Sequence, residues 1–316
     1  MKRLTEEIIA GRRIKRGDDL SVFMTADIGE LCRGADEIRK ALCGDKAELC
    51  SIINGRSGSC SEDCKICAQS SHYHTKAKTY SFRSAEKIIE EAHRNREAGI
   101  HRFSIVTSGR GLEGDDWEQA LAVYSRLSSE TDIKLCASHG FQSIDEFRQL
   151  KNAGVQRYHA NIETSKRYFP FICTTHTYDE KIKNIRLAQE AGLEVCSGGI
   201  IGMGETWEDR LDMAVSLAKL NVISIPLNIL RPIEGTPFEH LLPLSDEDIL
   251  RTVAVFRYIN PTAWIRIAAG RARFGDNGAA LFRSGANAAI SGDMLTTVGS
   301  SMNDDVLMFR QLGYRL

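Results

Sequence analysis

The chain has 316 residues and is almost neutral, with 41 Lys and Arg residues against 42 Asp and Glu residues and a formal net charge of −1 at pH 7. This balance excludes the basic excess that binding to nucleic acid phosphates requires. The first residues lack the apolar run of a signal peptide, and no stretch approaches the roughly 20 apolar residues that span a bilayer. We therefore expect a cytoplasmic protein without nucleic acid or membrane partners.

The predicted elements begin with an N-terminal helical extension over residues 1–45, and residues 46–316 are expected to form one domain. Within that domain, an Ala-Gly pair joins the end of a helix to a β-rich stretch at three places, where the glycines are Gly99, Gly154 and Gly192. Glycine here can adopt the left-handed conformation that ends many helices. The pattern indicates a repeated helix–strand unit.

Two capping boxes, Ser143-x-x-Glu146 and Thr177-x-x-Glu180, predict the starts of helices between these strands. Eight strands are predicted, near residues 49–55, 102–107, 133–138, 155–162, 193–198, 222–229, 264–268 and 287–291. Eight strand–helix units favour an α/β fold of the closed (β/α)8 TIM-barrel type, although an open doubly wound sheet produces the same alternation.

In a (β/α)8 barrel the carboxyl ends of the strands carry the active site, and polar residues of this chain concentrate there. His159, Asn161 and Glu163 fall on one face of the predicted fourth strand, because side chains of a strand alternate with a period of two. Packing alone does not require such a polar row inside a barrel. The predicted active face also receives Cys196, Asn228 and Arg266.

Nine cysteines, irregularly spaced, are too few for a disulfide scaffold and indicate metal or redox chemistry. Cys60, Cys64 and Cys67 form a C-x3-C-x2-C loop after the first predicted strand. Four thiolates would close a tetrahedral structural site, whereas three leave one coordination position open. The loop is therefore interpreted as the ligand set of an iron–sulfur cubane with one free iron. A zinc site completed by His72 or His74 is the alternative.

The cysteine loop and the segment GGIIGMGET (198–206) resemble the signatures of the radical SAM superfamily, with Ile66 standing where an aromatic residue is common. The resemblance is more specific than that. The motifs that match the biotin synthase family, in the family's order over roughly residues 45–316, are CSEDCKICAQSSHY, HANIETS, TTHTYDEKI, VCSGGIIGMGET, PLNILRPIEGTP, RIAAGR and MLTT.

The resemblance implies a radical sulfurtransferase that inserts sulfur between two unactivated carbons of dethiobiotin and consumes two molecules of S-adenosylmethionine. It implies that Cys60, Cys64 and Cys67 bind a [4Fe-4S] cluster, whose reduction cleaves S-adenosylmethionine to a 5′-deoxyadenosyl radical. It further implies a homodimer and a low-potential electron donor of the flavodoxin or ferredoxin type.

The resemblance also implies roles for individual residues. The positions that match contacts to S-adenosylmethionine are Glu163, Lys181, Gly199, Gly202 and Glu205, and those that match contacts to dethiobiotin are Asn161, Asn228, Thr296 and Thr297. Glu163 stands where the family often has aspartate. Lys181 stands where an arginine is common, so the charge is kept but the bidentate fork is lost.

The residues expected to bind the auxiliary cluster depart from the usual family pattern. The usual family form is a [2Fe-2S] cluster held by three cysteines and an arginine, of which Cys136, Cys196 and Arg266 have counterparts here, while Ser104 replaces the third cysteine. Cys173 stands where an aliphatic residue is common.

We hypothesise from this exchange that Cys136, Cys173 and Cys196 bind a four-iron cluster with an extra sulfide, and that Arg266 is a catalytic cationic neighbour. Two alternatives stay open. In one, a two-iron cluster uses Ser104 or Cys173 as its missing ligand. In the other, Cys173 only packs in its loop.

The sequence leaves two rival functions. One is another radical SAM barrel enzyme, of the hydrogenase-maturase or methylornithine-synthase type, against which Asn161, Asn228 and the downstream cysteines argue. The other is a noncatalytic metal-binding sensor. The roles of Cys32, Cys43 and Cys50 are not defined by the sequence, although burial is expected for Cys50 next to the motif.

Overall fold

The strands of the computed structural model, which describes residues 1–292, 294–295 and 301–316, form a single parallel sheet that closes on itself. In the described residues the strands are β1 (Glu48–Arg56), β2 (Arg102–Thr107), β3 (Lys134–Ser138), β4 (Val155–His159), β5 (Glu194–Cys196), β6 (Gly199–Ile201), β7 (Ser224–Ile229), β8 (Trp264–Ile267) and β9 (Ala288–Ile290). Their order is β5-β4-β3-β2-β1-β9-β8-β7-β6, and a pairing of Cys196 with Ser224 joins β5 to β7. The predicted (β/α)8 barrel is confirmed.

Helices follow the strands and cover the outside of the barrel. The described α-helices are α1 (Lys2–Ile9), α2 (Val22–Thr25), α3 (Ile28–Cys43), α4 (Ala85–Glu97), α5 (Gly114–Glu130), α6 (Ile144–Asn152), α7 (Phe169–Ile172), α8 (Tyr178–Glu190), α9 (Trp207–Lys219), α10 (Asp246–Ile259), α11 (Ala279–Arg283) and α12 (Met302–Gln311), with a short 3-10 helix at Arg271–Arg273. Among the described residues no helix combines the length and apolarity needed to cross a membrane.

Both predicted capping boxes form. The Ser143 and Thr177 hydroxyls accept hydrogen bonds from the amides of Glu146 and Glu180, whose carboxylates accept in return from the capping residues' own amides. A third box joins Thr206 to Asp209 at the start of α9. These caps fix where each helix begins relative to the strand before it.

The fifth predicted strand, 193–198, is wrong in its extent, because β5 ends at Cys196 and a separate strand, β6, begins only at Gly199. A Cβ atom on Gly198 would lie only 1.9 Å from the carbonyl oxygen of Pro226, so the two backbones cross too closely there for regular pairing. The amide of Gly198 instead donates to the side chain of Asn161, 3.0 Å away. The described chain therefore has nine strands, whereas eight were predicted.

The fourth strand ends at His159, three residues before the predicted end. The chain then turns, and Glu163 takes a left-handed conformation with φ of 68°. Non-glycine residues in this region carry about 1–3 kcal/mol of strain, which persists only where neighbouring contacts impose it.

The N-terminal helices lie on the outside of the barrel, where α3 packs against α10 and α1 packs against α3. Gly34 on α3 lies directly under the Tyr258 side chain of α10, since a Cβ atom there would be 2.0 Å from the phenol oxygen. The Tyr258 hydroxyl also hydrogen-bonds Thr5 of α1 at 2.7 Å. The division into residues 1–45 and 46–316 remains a prediction.

Alternation along the strands separates a helix-facing layer from the barrel interior. On β2, Phe103 and Ile105 belong to the buried hydrophobic core, whereas Arg102, Ser104 and Val106 line an internal cavity. The interior of this barrel therefore combines polar and apolar side chains around a cavity and is not a fully packed core.

Candidate functional site

The barrel encloses a cavity of about 340 Å³, a size suited to a small organic ligand. His159, Asn161 and Glu163 all line it, so the polar row predicted on the fourth strand does face the interior. The cysteine loop closes the end at the strands' carboxyl termini, and three cysteines and three arginines form the opposite end, which we call the cavity floor. The floor residues are Cys50, Cys136, Cys196, Arg102, Arg157 and Arg266.

The cysteine loop follows β1 and is closed by its own backbone. The Cys60 amide donates to the Gln69 carbonyl at 3.0 Å, the Ser71 amide donates to the Cys60 carbonyl at 2.8 Å, and the Cys67 amide donates to the Cys64 carbonyl at 2.9 Å. These bonds hold three partly exposed thiols on one short loop. Cys67 faces the cavity, and burial raises the pKa of its thiol to about 11.

The spacing of these thiols argues against a single zinc ion. Zinc–sulfur bonds of about 2.3 Å require all ligand sulfurs to lie within about 4.6 Å of one another. Within the described chain, the group whose ligand atoms all lie within 4.8 Å of one another is Cys64, Cys173 and His176, so Cys60, Cys67, His72 and His74 do not belong to such a group. The donor set therefore fits a cluster with several metal atoms, to which each thiolate contributes one corner.

Cys173 lies beside the cysteine loop and away from the cavity floor. Its Sγ atom is 3.7 Å from the Cys64 Sγ, 3.2 Å from an Asp63 oxygen and 3.3 Å from the His176 Nδ1. It is not among the residues that line the described cavity, where Cys136 and Cys196 are found. The structure therefore does not bring Cys173 together with Cys136 and Cys196, because the loop after β4 carries Cys173 to the cysteine loop.

Glu163 and Gly199 connect two strand ends at the cavity wall. The Glu163 amide donates to the Gly198 carbonyl at 3.1 Å, and the Glu163 carbonyl accepts from the Ile200 amide at 3.0 Å. These two bonds impose the left-handed conformation of Glu163 and keep its side chain at the cavity. Gly199 is required by the close approach, since a Cβ atom there would lie 2.2 Å from the Glu163 carbonyl oxygen.

Glu205 contacts the backbone of its own loop and the side chain of Arg210. Its buried carboxylate accepts from the amides of Gly202 at 2.8 Å and Met203 at 2.7 Å, and from the Arg210 Nε at 2.7 Å. Gly202, with φ of 95°, makes the turn that allows this. Glu205 and Gly202 do not line the described cavity, so they shape the loop after β6 from behind.

Lys181 is the fourth residue of α8, and its ammonium group lies 5.2 Å from the centre of the Phe141 ring. A hydrogen bond with Cys173 and burial raise the pKa of the Cys64 thiol, and the positive charge of Lys181 partly opposes this rise. Burial lowers the pKa of His159, and Lys181 lowers it further. Lys181 is thus a cation near the rim of the cavity. Thr296 and Thr297 lie outside the described residues.

Asn161 and Asn228 both line the cavity and are fixed by backbone contacts. Asn161 accepts from the Gly198 amide at 3.0 Å and donates to Glu163 at 3.3 Å. Asn228 donates to the Gly199 carbonyl at 3.2 Å and accepts from the Ala269 amide at 3.3 Å. Each amide therefore keeps one N–H and one lone pair for a ligand in the cavity.

Cys50 is the floor residue whose role the sequence left undefined. It lies on β1, and its thiol interacts with that of Cys136 on β3, while the Cys196 thiol donates to the Ser224 hydroxyl at 3.3 Å. Ser104 on β2 is paired with Cys136 and also lines the cavity. The signal that could have identified Cys50 is the period of two on β1, which places Cys50 and Ile52 together on the inner face.

The floor is rich in positive charge. Arg102 donates to the Cys136 sulfur over 3.6 Å, and Arg102, Arg157 and Arg266 are each 3% exposed. Burial alone would raise the pKa of Cys136, but its bond with Cys50 and the charges of Arg102 and Arg157 lower it to about 6. Burial raises the pKa of Cys196.

One buried carboxylate, Glu48, bonds all three floor arginines, and Glu194, whose side chain is 46% exposed, bonds two of them. Burial would raise the pKa of Glu48, but the three guanidinium groups hold it well below its usual range. Three buried cations thus face one buried anion, an excess that is costly unless an anion lies among them. The floor fits an anionic cluster bound through thiolates.

Comparison with known families gives two matches that together span most of the chain. Residues 56–217 match the Radical SAM superfamily, and residues 226–315 match the Biotin and Thiamin Synthesis associated domain. The first contains the cysteine loop, Glu163 and β6, and the second contains Asn228 and Arg266.

Curated relatives are similar over the full length. The chain is 58% identical over 316 residues to the biotin synthase of Clostridium beijerinckii, covering 100% of each chain. It is also 58% identical to the biotin synthase of Alkaliphilus metalliredigens, covering 100% of this chain and 99% of that protein. Glu48, the floor thiols and the cysteine loop all lie within these matched regions.

Solved structures with this fold are more distant. Methylornithine synthase superposes with a TM-score of 0.84 at 17% identity, covering 99% of this chain and 96% of that one. HydG, a maturase of the [FeFe]-hydrogenase, superposes with a TM-score of 0.81 at 16% identity, covering 99% of this chain and 74% of that one. At these identities the likeness concerns the fold alone.

Proposed function

The chain belongs to the biotin synthase family of the radical SAM superfamily, and we infer that it is a sulfurtransferase that converts dethiobiotin to biotin with S-adenosylmethionine. The observation that carries this proposal is the arrangement of one cavity between two thiol sites. The cysteine loop lies at one end, the thiol and arginine floor lies at the other, and two fixed amides lie between them.

We propose that Cys60, Cys64 and Cys67 hold a [4Fe-4S] cluster and that Glu163, Lys181 and the β6 loop with Gly199, Gly202 and Glu205 place S-adenosylmethionine beside it. When bound, this cluster supplies the electron that cleaves the carbon–sulfur bond of S-adenosylmethionine. Glu163 is held at the cavity wall, where a carboxylate can accept hydrogen bonds from the ribose. The Gly198 and Gly199 backbone allows the close approach of the strand ends that holds Glu163 there.

We propose that Asn161 and Asn228 bind the ureido ring of dethiobiotin. A ureido group offers two N–H donors and one carbonyl acceptor, which complement the N–H and the lone pair that each asparagine retains. Thr296 and Thr297 are proposed to receive the substrate carboxylate. The apolar lining that includes Ile52, Val106 and Ile200 excludes water and loose hydrogen donors, which protects a radical intermediate.

We propose that Cys50, Cys136 and Cys196 bind the auxiliary iron–sulfur cluster, with Arg266 as a cationic neighbour. Three thiolates in the positions found here leave one corner of a four-iron cluster for an extra sulfide, which the excess charge of the floor arginines would stabilise. The competing form is a two-iron cluster in which Ser104 is a ligand. Cys50 restores the third thiol that Ser104 removes, so the site does not need Ser104 as a ligand.

Three further proposals rest on family membership. We propose a homodimer, a cytoplasmic location and a low-potential electron donor of the flavodoxin or ferredoxin type. Size-exclusion chromatography tests the homodimer, co-purification with the cytoplasmic fraction under anaerobic conditions tests the location, and reduction assays with each donor class test the electron donor.

The function is tested by anaerobic turnover of the reconstituted protein with dethiobiotin, S-adenosylmethionine and a reductant. We expect biotin and 5′-deoxyadenosine, and we expect neither from a Cys64→Ala variant. A hydrogenase-maturase or methylornithine-synthase type of activity predicts cleavage of S-adenosylmethionine without biotin. A noncatalytic sensor predicts no cleavage with any substrate.

A further inference from the structure

Glu48 lies beneath the auxiliary site and outside the reacting cavity. It is the first residue of β1 and precedes Cys50 by two positions, so the two side chains share the inner face of the strand. Glu48 is 6% exposed and does not itself line the described cavity, although the three arginines that it bonds do. Any effect of Glu48 on the cavity therefore passes through these arginines.

Both terminal nitrogens of Arg266 are directed toward the floor. Nη2 donates to the Glu48 carboxylate, and Nη1 donates to the carbonyl oxygens of Glu48 at 3.3 Å and Ala289 at 3.0 Å. A guanidinium group has five N–H donors and no acceptor, so a nitrogen of Arg266 can bind iron only after it loses a proton and turns toward the metal. The contacts with Glu48 hold these nitrogens toward Glu48 and away from the cavity.

We propose that Glu48 is a positioning residue of the auxiliary site, which holds Arg266 against the floor as a hydrogen-bond donor and so keeps one iron of the auxiliary cluster open to sulfide. This proposal rests on the proposed function, because it concerns the cluster that supplies sulfur there. It adds a residue that neither the ligand sets nor the substrate contacts contain.

The charges of the floor give the physical reason. Glu48 is the carboxylate shared by Arg102, Arg157 and Arg266, while Glu194 bonds Arg102 and Arg157 but not Arg266. Removing the charge of Glu48 leaves Arg266 without its anionic partner, and the nearest anions are then the thiolates and sulfides of the cluster. Arg266 is then expected to turn toward them and to give a proton to the extra sulfide, which leaves as hydrosulfide while the deprotonated arginine nitrogen takes its place on the iron.

The test uses the full chain with Cys60→Ala, Cys64→Ala and Cys67→Ala, in which only the auxiliary cluster remains, labelled with ¹⁵N-arginine and reduced anaerobically. With Glu48 present, we expect pulsed EPR to show only the weak nitrogen coupling of a hydrogen bond, and chemical analysis to find more sulfide than iron. Adding Glu48→Gln is expected to produce strong coupling from a bonded arginine nitrogen or loss of the excess sulfide.

The matched control is Glu194→Gln, which removes a carboxylate from the same arginine network without touching Arg266. It is expected to leave both the nitrogen coupling and the sulfide-to-iron ratio as in the parent. Strong arginine coupling in the parent itself, or identical results for Glu48→Gln and the parent, would overturn the proposal.

A second variant keeps the proposal testable if Glu48→Gln does not fold. Arg266→Met should retain the iron content of the auxiliary cluster, because Arg266 is not a ligand; loss of that iron contradicts the proposal. The biotin assay of the native protein is read separately. Biotin formation together with an arginine-bound cluster rejects the role of Glu48 alone, whereas absence of biotin from the native protein rejects the proposed function.

Discussion

Glu163 and Gly199 are joined by a parallel backbone bridge, which ties the residue after β4 directly to the start of β6. A side chain on Gly199 would collide with the Glu163 carbonyl, so the bridge depends on the absence of a Cβ atom. The contact gives a glycine-rich motif two functions. It permits the crossing of two strand ends, and it fixes an acidic side chain at the wall of the cavity.

The first prediction concerns this bridge. Gly199→Ala should destabilise the protein by about 1–3 kcal/mol, the usual cost of overpacking a site that cannot relax. It should also weaken binding of S-adenosylmethionine, because Glu163 must shift. Urea unfolding and isothermal titration measure the two effects. Gly275→Ala is the control, since a Cβ atom there meets nothing within 4 Å; equal behaviour of the two variants would contradict the prediction.

The second prediction concerns the floor thiols. In the chain that lacks the three motif cysteines, Cys50→Ser should abolish most of the remaining iron, because Cys50 is a proposed ligand of the auxiliary cluster. Cys173→Ser and Cys32→Ser should retain that iron, since neither residue lines the described cavity. Iron and sulfide analysis after anaerobic reconstitution decides between them. Iron loss with Cys173→Ser but not Cys50→Ser would restore the ligand set first expected from the sequence.

The third prediction concerns Asn228. Asn228→Ala should raise the KM for dethiobiotin, because it removes a proposed ureido contact and leaves a polar group of the bound substrate unpaired. It should also destabilise the fold, since the Ala269 amide and the Gly199 carbonyl lose their partner. An unpaired buried polar group costs about 1–3 kcal/mol, which corresponds to an increase in KM of about five- to 150-fold. Steady-state kinetics measure this. Asn152→Ala, on the exposed side of α6, should leave KM unchanged; a shared increase would assign the effect to general destabilisation.

The fourth prediction concerns pH. His139 is fully buried between the Thr107 hydroxyl at 3.0 Å and the Tyr124 hydroxyl at 2.9 Å, and burial, with a smaller effect of Arg56, lowers its pKa from 6.5 to about 3. Between pH 6.5 and about 3, His139 is therefore protonated in the unfolded chain but remains neutral in the folded chain. The stability contributed by neutral His139 is complete above pH 6.5 and declines as the pH falls toward 3.

Urea unfolding at several pH values between 8 and 5 tests this titration, for which one proton gives a slope of at most about 1.4 kcal/mol per pH unit. His139→Gln should be less stable at neutral pH but should show a smaller decline toward pH 5. His93→Gln, at an exposed position, serves as the control. A decline as steep in His139→Gln as in the native protein would show that other groups cause it.

Local rules predicted the parts of the fold that depend on neighbouring residues. Helix caps at Ser143 and Thr177 and left-handed glycines at positions 99, 154 and 192 are set within a few residues, and all form as predicted. The break between β5 and β6 was missed, because it arises from a contact of Gly198 with Pro226 on another strand. No local pattern contains that information.

The candidate site shows the same division. The cysteine loop is contiguous in sequence, so its three thiols could be grouped from spacing alone. The floor thiols come from β1, β3 and β5, and only the closed barrel determines which cysteines meet. Cys173 was therefore grouped with Cys136 and Cys196 only because all three are cysteines. In the structure it is Cys50 that lies with Cys136 and Cys196 on the cavity floor. Glu48, beneath Cys50, belongs to no sequence motif.

The most direct test of the central claim is the fate of deuterium when the reduced, reconstituted protein turns over dethiobiotin that is deuterated at its methyl carbon and ring methylene. Because the cavity holds the substrate between the cysteine loop and the floor thiols, we expect deuterium in 5′-deoxyadenosine and formation of biotin. Release of 5′-deoxyadenosine that contains no deuterium, with dethiobiotin left unchanged, would contradict the claim that this cavity is the site of sulfur insertion.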